Sequence, residues 1–153
     1  MNKKIIIVSV ILVILIVCVG FFIYSNNTVK VDNTYFSIPE GYSAFDNDGY
    51  FNITNGKEYM CIIKNVSHDD LNKSMNSYIK TKKSNENTTV SISNFSVNNY
   101  TIYKSVSNSN GHVYHYWFAD DSKIYEFFTW SGDSNSDYIV SKLVMSMKWS
   151  ILL

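Results

Sequence analysis

Four arrangements in this 153-residue chain have residue types that could do chemistry: His112 with His115, His68 beside Asp69 and Asp70, Asp46 with Asp48, and Cys61. Two histidines three apart would suit a metal ion if both rings met on it. On a strand, residues three apart point to opposite faces, so chelation there needs a bulge. His68-Asp69-Asp70 reads first as a helix start behind Ser67, because an N-cap hydroxyl and acidic side chains both suit the positive end of a helix. Asp46-x-Asp48 is too short for a calcium loop, which needs a later bidentate glutamate. No G-x-S-x-G nucleophile elbow is present. Cys61 is the one cysteine outside the apolar N-terminal run, so no disulfide forms within the domain. It reads as a small buried hydrophobe. The expectation is therefore no catalytic residue, no metal site and no cofactor.

Charge excludes other roles. Thirteen lysines balance thirteen acidic residues, and arginine is absent. A neutral chain has no electrostatic footprint for nucleic acid. Lacking arginine, it also lacks the fork geometry best suited to phosphate. The abundance of Asn, Lys, Ile and Tyr fits a nucleotide bias toward A and T. Seven N-x-S/T triplets start at Asn26, Asn52, Asn65, Asn72, Asn87, Asn94 and Asn99. Each is a glycan acceptor pattern in an exported protein. Asn26 and Asn87, in polar linkers, are the favoured candidates. Asn52 falls in a strand and Asn72 on a helix.

Residues Ile5 to Tyr24 form an uncharged apolar run with Lys3 and Lys4 before it. Twenty helical residues span ~30 Å, the thickness of a bilayer's hydrocarbon core. The run is longer than a signal-peptide core and ends in bulky residues where cleavage needs small ones. Cys18 follows Leu15, Ile16 and Val17, which is no lipobox. The lysines place residues 1–4 in the cytoplasm by the positive-inside rule. The expected organisation is a signal anchor at 5–24, a polar stalk at 25–33 and an extracytoplasmic domain at 34–153. Gly20 stands alone, so no G-x-x-x-G pair argues for helix dimerisation.

Within the domain, Tyr35–Ile38 reads as a strand stopped by Pro39-Glu40-Gly41. A second short strand is expected from Tyr42 to Phe45. Asn55-Gly56 is the preferred type I′ hairpin pair. A two-residue loop there sets Thr54 opposite Lys57, Ile53 opposite Glu58, Asn52 opposite Tyr59 and Phe51 opposite Met60. Phe51, Ile53, Met60 and Ile62 then share the core face. Leu71, Met75, Tyr78 and Ile79 recur at helical spacing. Four strands follow, at 88–95, 100–106, 113–119 and 124–130, separated by short turn-rich links that imply an antiparallel meander. Their last two are apolar on both faces. The terminal helix runs from Ser136 to Met147, capped by Ser134 or Ser136, with a stripe of Ile139, Val140, Leu143, Val144 and Met147.

These elements make an α+β fold: a mostly antiparallel sheet flanked by two helices, preceded by one transmembrane helix. The order of elements, the opening Phe36-Ser37-Ile38-Pro39-Glu40-Gly41-Tyr42 and the terminal helix ending in Ser146-Met147-Lys148 resemble the PsbP-like α/β sandwich family. The resemblance covers Tyr35 to Trp149. It implies a non-enzymatic accessory or binding domain, often exported, and carries over no site residue. The anchor and the Asn, Ser and Tyr richness also resemble short signal-anchored surface proteins of methanogenic archaea. The expected function is a membrane-anchored binding or accessory domain that meets a protein or glycan. The alternative is a cell-envelope hydrolase whose active site follows no known spacing.

Overall fold

The computed structural model describes residues 9–18, 27–84, 88–108, 112–130 and 135–149. Helix α1 covers residues 9–18, and the rest of the expected anchor, 5–8 and 19–24, lies outside the described residues. Among the described residues no helix is long and apolar enough to cross a membrane. The described residues after it form ten strands and two further helices: β1 Thr28–Val31, β2 Thr34–Ser37, β3 Ser43–Asn47, β4 Tyr50–Thr54, β5 Tyr59–Ile63, α2 Leu71–Ser84, β6 Thr89–Val97, β7 Tyr100–Asn108, β8 His112–Asp120, β9 Lys123–Thr129, α3 Ser136–Met145 and β10 Lys148–Trp149.

The strands form a seven-stranded sheet of order β3-β4-β5-β9-β8-β7-β6 and a three-stranded sheet of order β1-β2-β10. Every pairing is antiparallel. The β6-β7-β8-β9 meander follows from tight turns. Asn98 and Asp121 hold φ of 52° and 53°, just after β6 and β8. Asn and Asp tolerate this left-handed conformation better than other non-glycine residues.

One face of the large sheet carries the main core. Tyr116, Phe118, Tyr125 and Phe127 pack there with Ile53, Met60, Ile62, Phe36 and the α3 stripe of Ile139, Val140, Leu143 and Val144. Phe36 meets Tyr125 and Phe127 edge to face, with ring centroids 5.6 and 5.8 Å apart. The opposite face is covered by α2, whose Met75 and Ile79 pack on Trp117 and Ile124. Both faces of the β8–β9 pair are thus enclosed, as their two-sided apolar pattern requires.

Four expectations need correction. Residues 28–31, inside the stretch read as stalk, form β1, and Val29 and Val31 enter the core. Alternation of valine with polar residues over four positions is too short a signal to separate from a linker. In the β4–β5 hairpin, Ile53 faces Met60, Thr54 faces Tyr59 and Asn52 faces Cys61, a slip of two residues from the expected register. Gly56 has φ of 87°, whereas Asn55 has no positive φ. The Asn55 side chain instead accepts hydrogen bonds from the backbone N–H groups of Lys57 and Glu58 at 3.0 and 2.9 Å, which closes a wider loop. Because side chains alternate with period two, a two-residue slip leaves the faces unchanged. Ile53, Met60 and Ile62 are fully buried as expected, and Phe51 is partly buried.

The third correction concerns α2, whose N-cap is Asp70. Its carboxylate accepts from the Lys73 N–H at 3.0 Å, while Ser67 bridges to Ile124 by backbone bonds. The fourth concerns the chain's last elements. Helix α3 ends at Met145, and Lys148-Trp149 adds to the small sheet beside β2. Asn135 occupies the α3 N-cap without a side-chain cap bond, Ser136 is the first helical residue, and Ser134 lies outside the described residues.

Two outcomes test this packing. Met60→Ala should cost ~2–5 kcal/mol in chemical denaturation, the range for large-to-small core changes. A cost under about 0.5 kcal/mol, typical of surface positions, would mean that Met60 is not in the core. Deleting the chain from Ser134 onward removes α3 and β10, so cooperative unfolding should be lost. A truncated chain that melts as sharply and at the same temperature would show that this layer is dispensable.

Candidate functional site

The α2-facing side of the large sheet carries a row of side chains that crosses every strand. Phe45 pairs with Asn52, Asn52 with Cys61, Cys61 with Phe128, Phe128 with His115, His115 with Ser105, and Ser105 with Ile92. Helix α2 lies over the middle of this row and leaves its two ends open. Phe45 and Ile92, the terminal members, are 55% and 52% exposed.

His115 sits at the covered centre. Its ring stacks on Trp117, with centroids 4.1 Å apart and planes 18° apart. Tyr78 of α2 closes over it at 4.3 Å. His115 Nε2 lies 2.9 Å from Glu126 Oε2 on β9. A carboxylate only accepts, so Nε2 is the donor and carries the proton. Burial holds the imidazole below its ordinary pKa, outweighing the opposite pull of Glu126, and Lys82 of α2 adds to the lowering. His115 is therefore a neutral, satisfied histidine that ties β8 to β9 beneath α2. Its lone partner His112 lies on the same strand, whose pairing with β7 runs unbroken from His112 to Trp117. The bulge that chelation needs is absent there. Among the described residues no group of three histidine, cysteine, aspartate or glutamate side chains could hold a metal.

Cys61 and His115 share this face, as a thiol and base would in a cysteine hydrolase. Phe128 stands between them, and two strand spacings separate them by ~10 Å. Burial pushes the Cys61 thiol up to about 12, so it stays protonated. Cys61 is the small buried hydrophobe expected from the sequence, 0% exposed. His68, Asp69 and Asp70 sit exposed at the start of α2. There Lys73 pairs with Asp69 at 3.4 Å. Asp46 pairs with Lys64 at the edge of the sheet. None of the residues singled out from the sequence converges on another as a reactive set.

Two features were not visible in the sequence. The first is an open groove of about 380 Å³ along the flank of α2, with Asp69, Lys73, Ser77 and Thr81 on its wall and Glu126 on the sheet side. The second is an aromatic patch at the open end of the same face. Phe128 meets Trp130 at 4.9 Å and Tyr50 at 5.7 Å, and Tyr50 meets Trp130 at 6.1 Å. Their planes cross at 85°, 71° and 76°. Trp130 is 57% exposed, and Tyr59 and Phe45 are exposed on the same side. Aromatic richness was legible in the sequence. That α2 stops short of these strands was not, because helix placement depends on which apolar stripe meets which strand.

Of the seven glycosylation triplets, the favoured Asn26 and Asn87 both lie outside the described residues. Asn65, Asn72, Asn94 and Asn99 are exposed, whereas Asn52 is half-buried and accepts from the Cys61 thiol.

No protein-family model matches the chain, and no curated protein matches it. Among solved structures it is similar to the solution structure of cyanobacterial PsbP (CyanoP) from Synechocystis sp. PCC 6803, at 13% identity and a TM-score of 0.47 over 80% of this chain and 89% of that one. No residue role passes between the two at this identity. The likeness to methanogen surface proteins gains no support from these comparisons.

The state of His115 gives a pH signature. Its folded pKa lies below the unfolded value of about 6.5. As pH falls, the unfolded chain takes the proton first. The stabilisation is complete above the unfolded pKa and is lost as pH falls through the folded one. His115→Gln, which keeps a donor toward Glu126, should flatten the loss of stability between about pH 7 and pH 5. Melting curves of the two proteins across that range check it, since other carboxylates contribute equally to both. Parallel profiles would mean that His115 is not held neutral.

Proposed function

We propose that this chain is a membrane-tethered, non-enzymatic binding domain, with Ile5–Tyr24 as an uncleaved anchor, a cytoplasmic N-terminus and the α+β domain outside. The observation that carries the binding role is the aromatic patch of Tyr50, Phe128 and Trp130 left open beside α2, with Trp130 57% exposed. An exposed aromatic cluster on a partly covered sheet face is a feature of contact sites. Tryptophan and tyrosine are enriched among residues that carry binding energy. Phe45 and Tyr59, exposed on the same side, widen the patch toward the apolar area of a protein contact. A glycan is the second reading, favoured by the polar groove alongside. The hydrolase alternative gains no nucleophile from Cys61, whose thiol is protonated and screened from His115 by Phe128.

The anchor rests on the length and charge flanks of the apolar run. The chain should stay in the membrane pellet under alkaline extraction and keep residues 1–25 in the mature protein. A mature N-terminus beyond Ser25 would rule the anchor out.

The binding face is tested with a photo-crosslinking amino acid placed at position 130 of the full chain in its native membrane. A discrete protein adduct should form there and be absent with the same probe at Asn72 on α2. Trp130→Ala should weaken recovery of that partner by about tenfold or more, as for an interface anchor. No adduct above the Asn72 control would remove the protein-partner reading, and a glycan-bearing adduct would replace it with the second.

A further inference from the structure

The two edges of the seven-stranded sheet are built differently. An edge strand exposes unpaired backbone N–H and C=O groups and will template another strand unless it is short, charged, bulged or broken by proline. The β3 edge is defended. It is five residues long, carries Asp46 in an ion pair with Lys64, and runs into the Asp48-Gly49 turn. The β6 edge has no such device. Its nine residues, TVSISNFSV, include no charge, proline or glycine. All nine pair with β7 in one unbroken register, from Thr89 opposite Asn108 to Val97 opposite Tyr100. Among the described residues its other side has no strand partner.

Burial along β6 points the same way. Its two ends are tied down on opposite faces: Val97 is buried and Phe95 packs on the main core, and Val90 packs on the α2 core. The middle is open, with Ser91, Ile92, Ser93 and Asn94 all exposed. Ile92, the last member of the cross-sheet row, is 52% exposed. The edge is therefore held rigid in extended form while its pairing side and its central side chains face water.

We infer that β6 is a self-pairing edge, along which two copies of this chain join their sheets in antiparallel fashion about a twofold axis. The occupant is a second copy because the strand is self-compatible. A twofold axis through Ile92 sets that residue against its own copy, and sets Ser91 against Ser93 of the second copy. Antiparallel pairs of equal parity keep the same face, so the α2-covered faces of both sheets continue into each other. An isoleucine pair buries apolar surface that a monomer leaves wet, and facing serines can exchange hydroxyl hydrogen bonds. With no charge on β6, no like charges meet across the axis, and a charged foreign segment would find no counterion on it. Strands β8 and β7 separate this contact from the patch of Tyr50, Phe128 and Trp130, so it does not depend on the partner proposed there.

The test uses the full chain in detergent micelles. Native mass spectrometry should show a dimer. Ile92→Lys, which adds a charge at an exposed site, should weaken that dimer by about tenfold or more. In a Cys18→Ser background, Ile92→Cys should give a disulfide-linked dimer on mild oxidation, whereas Asn47→Cys at the β3 edge should not. A monomer at all concentrations, a dimer unaffected by Ile92→Lys, or equal crosslinking at both edges would each overturn the inference.

Discussion

The structure depends on burying both faces of one strand pair. β8 and β9 present Tyr116, Phe118, Tyr125 and Phe127 on one side and Trp117 and Ile124 on the other, all at most 2% exposed. A ribbon that is apolar on both sides must lie inside a sheet and between two layers. The chain supplies those layers from separate segments. Phe118 stacks on Tyr125 and Phe127 at 5.0 and 5.7 Å, and Phe36 from the small sheet meets two of these rings edge on. Such aromatic contacts are worth about 0.5–1.5 kcal/mol each beyond the area they bury.

Polar atoms on these side chains are satisfied by the same layers, and this fixes how the layers sit. The Tyr125 hydroxyl is 2.7 Å from Thr34 Oγ1 on β2. The Tyr116 hydroxyl donates at 2.7 Å to Asp137 in the first turn of α3, and Lys104 of β7 reaches the same oxygen at 2.7 Å. Burial, and then the carboxylate beside it, push the Tyr116 pKa well up, so it remains a donor. On the other face His115 and Glu126 bond beneath Tyr78. The two tyrosine ties each join a specific strand to a specific covering element. A shift of either layer by one residue would leave a buried polar group without a partner, which costs about 1–3 kcal/mol.

α2 spans fourteen residues and packs on Val90 of β6, Tyr103 of β7, Trp117 of β8 and Ile124 of β9, but does not reach across β3 to β5. The uncovered remainder is where Tyr50, Phe128 and Trp130 face outward. At the other end α2 packs on β6 at Val90, and the middle of β6 stays open. The surfaces available for contact are thus set by the reach of one helix across a wide sheet.

Much of this was legible in the residues. The strands of the meander, the helical stripe of Leu71, Met75, Tyr78 and Ile79, and the core face of Ile53, Met60 and Ile62 all follow from periodicity, which is local and survives a change of partner. The inert reading of Cys61 followed from its being alone. What periodicity does not encode is which strands become neighbours. The β5–β9 joint links segments more than sixty residues apart. It brings Cys61 into the row that the β8–β9 pairing makes of Phe128 and His115. The Asn55-Gly56 pair suggested one loop, and an Asn55 side-chain bond selected another. β1 and β10 exist because β2 offers them an edge, not because four or two residues carry a strand signal. The sequence by itself determined which faces are apolar, because alternation is a property of the chain. The tertiary structure decided register, neighbours and coverage, and so the site, because those depend on long-range packing of layers that no local pattern specifies.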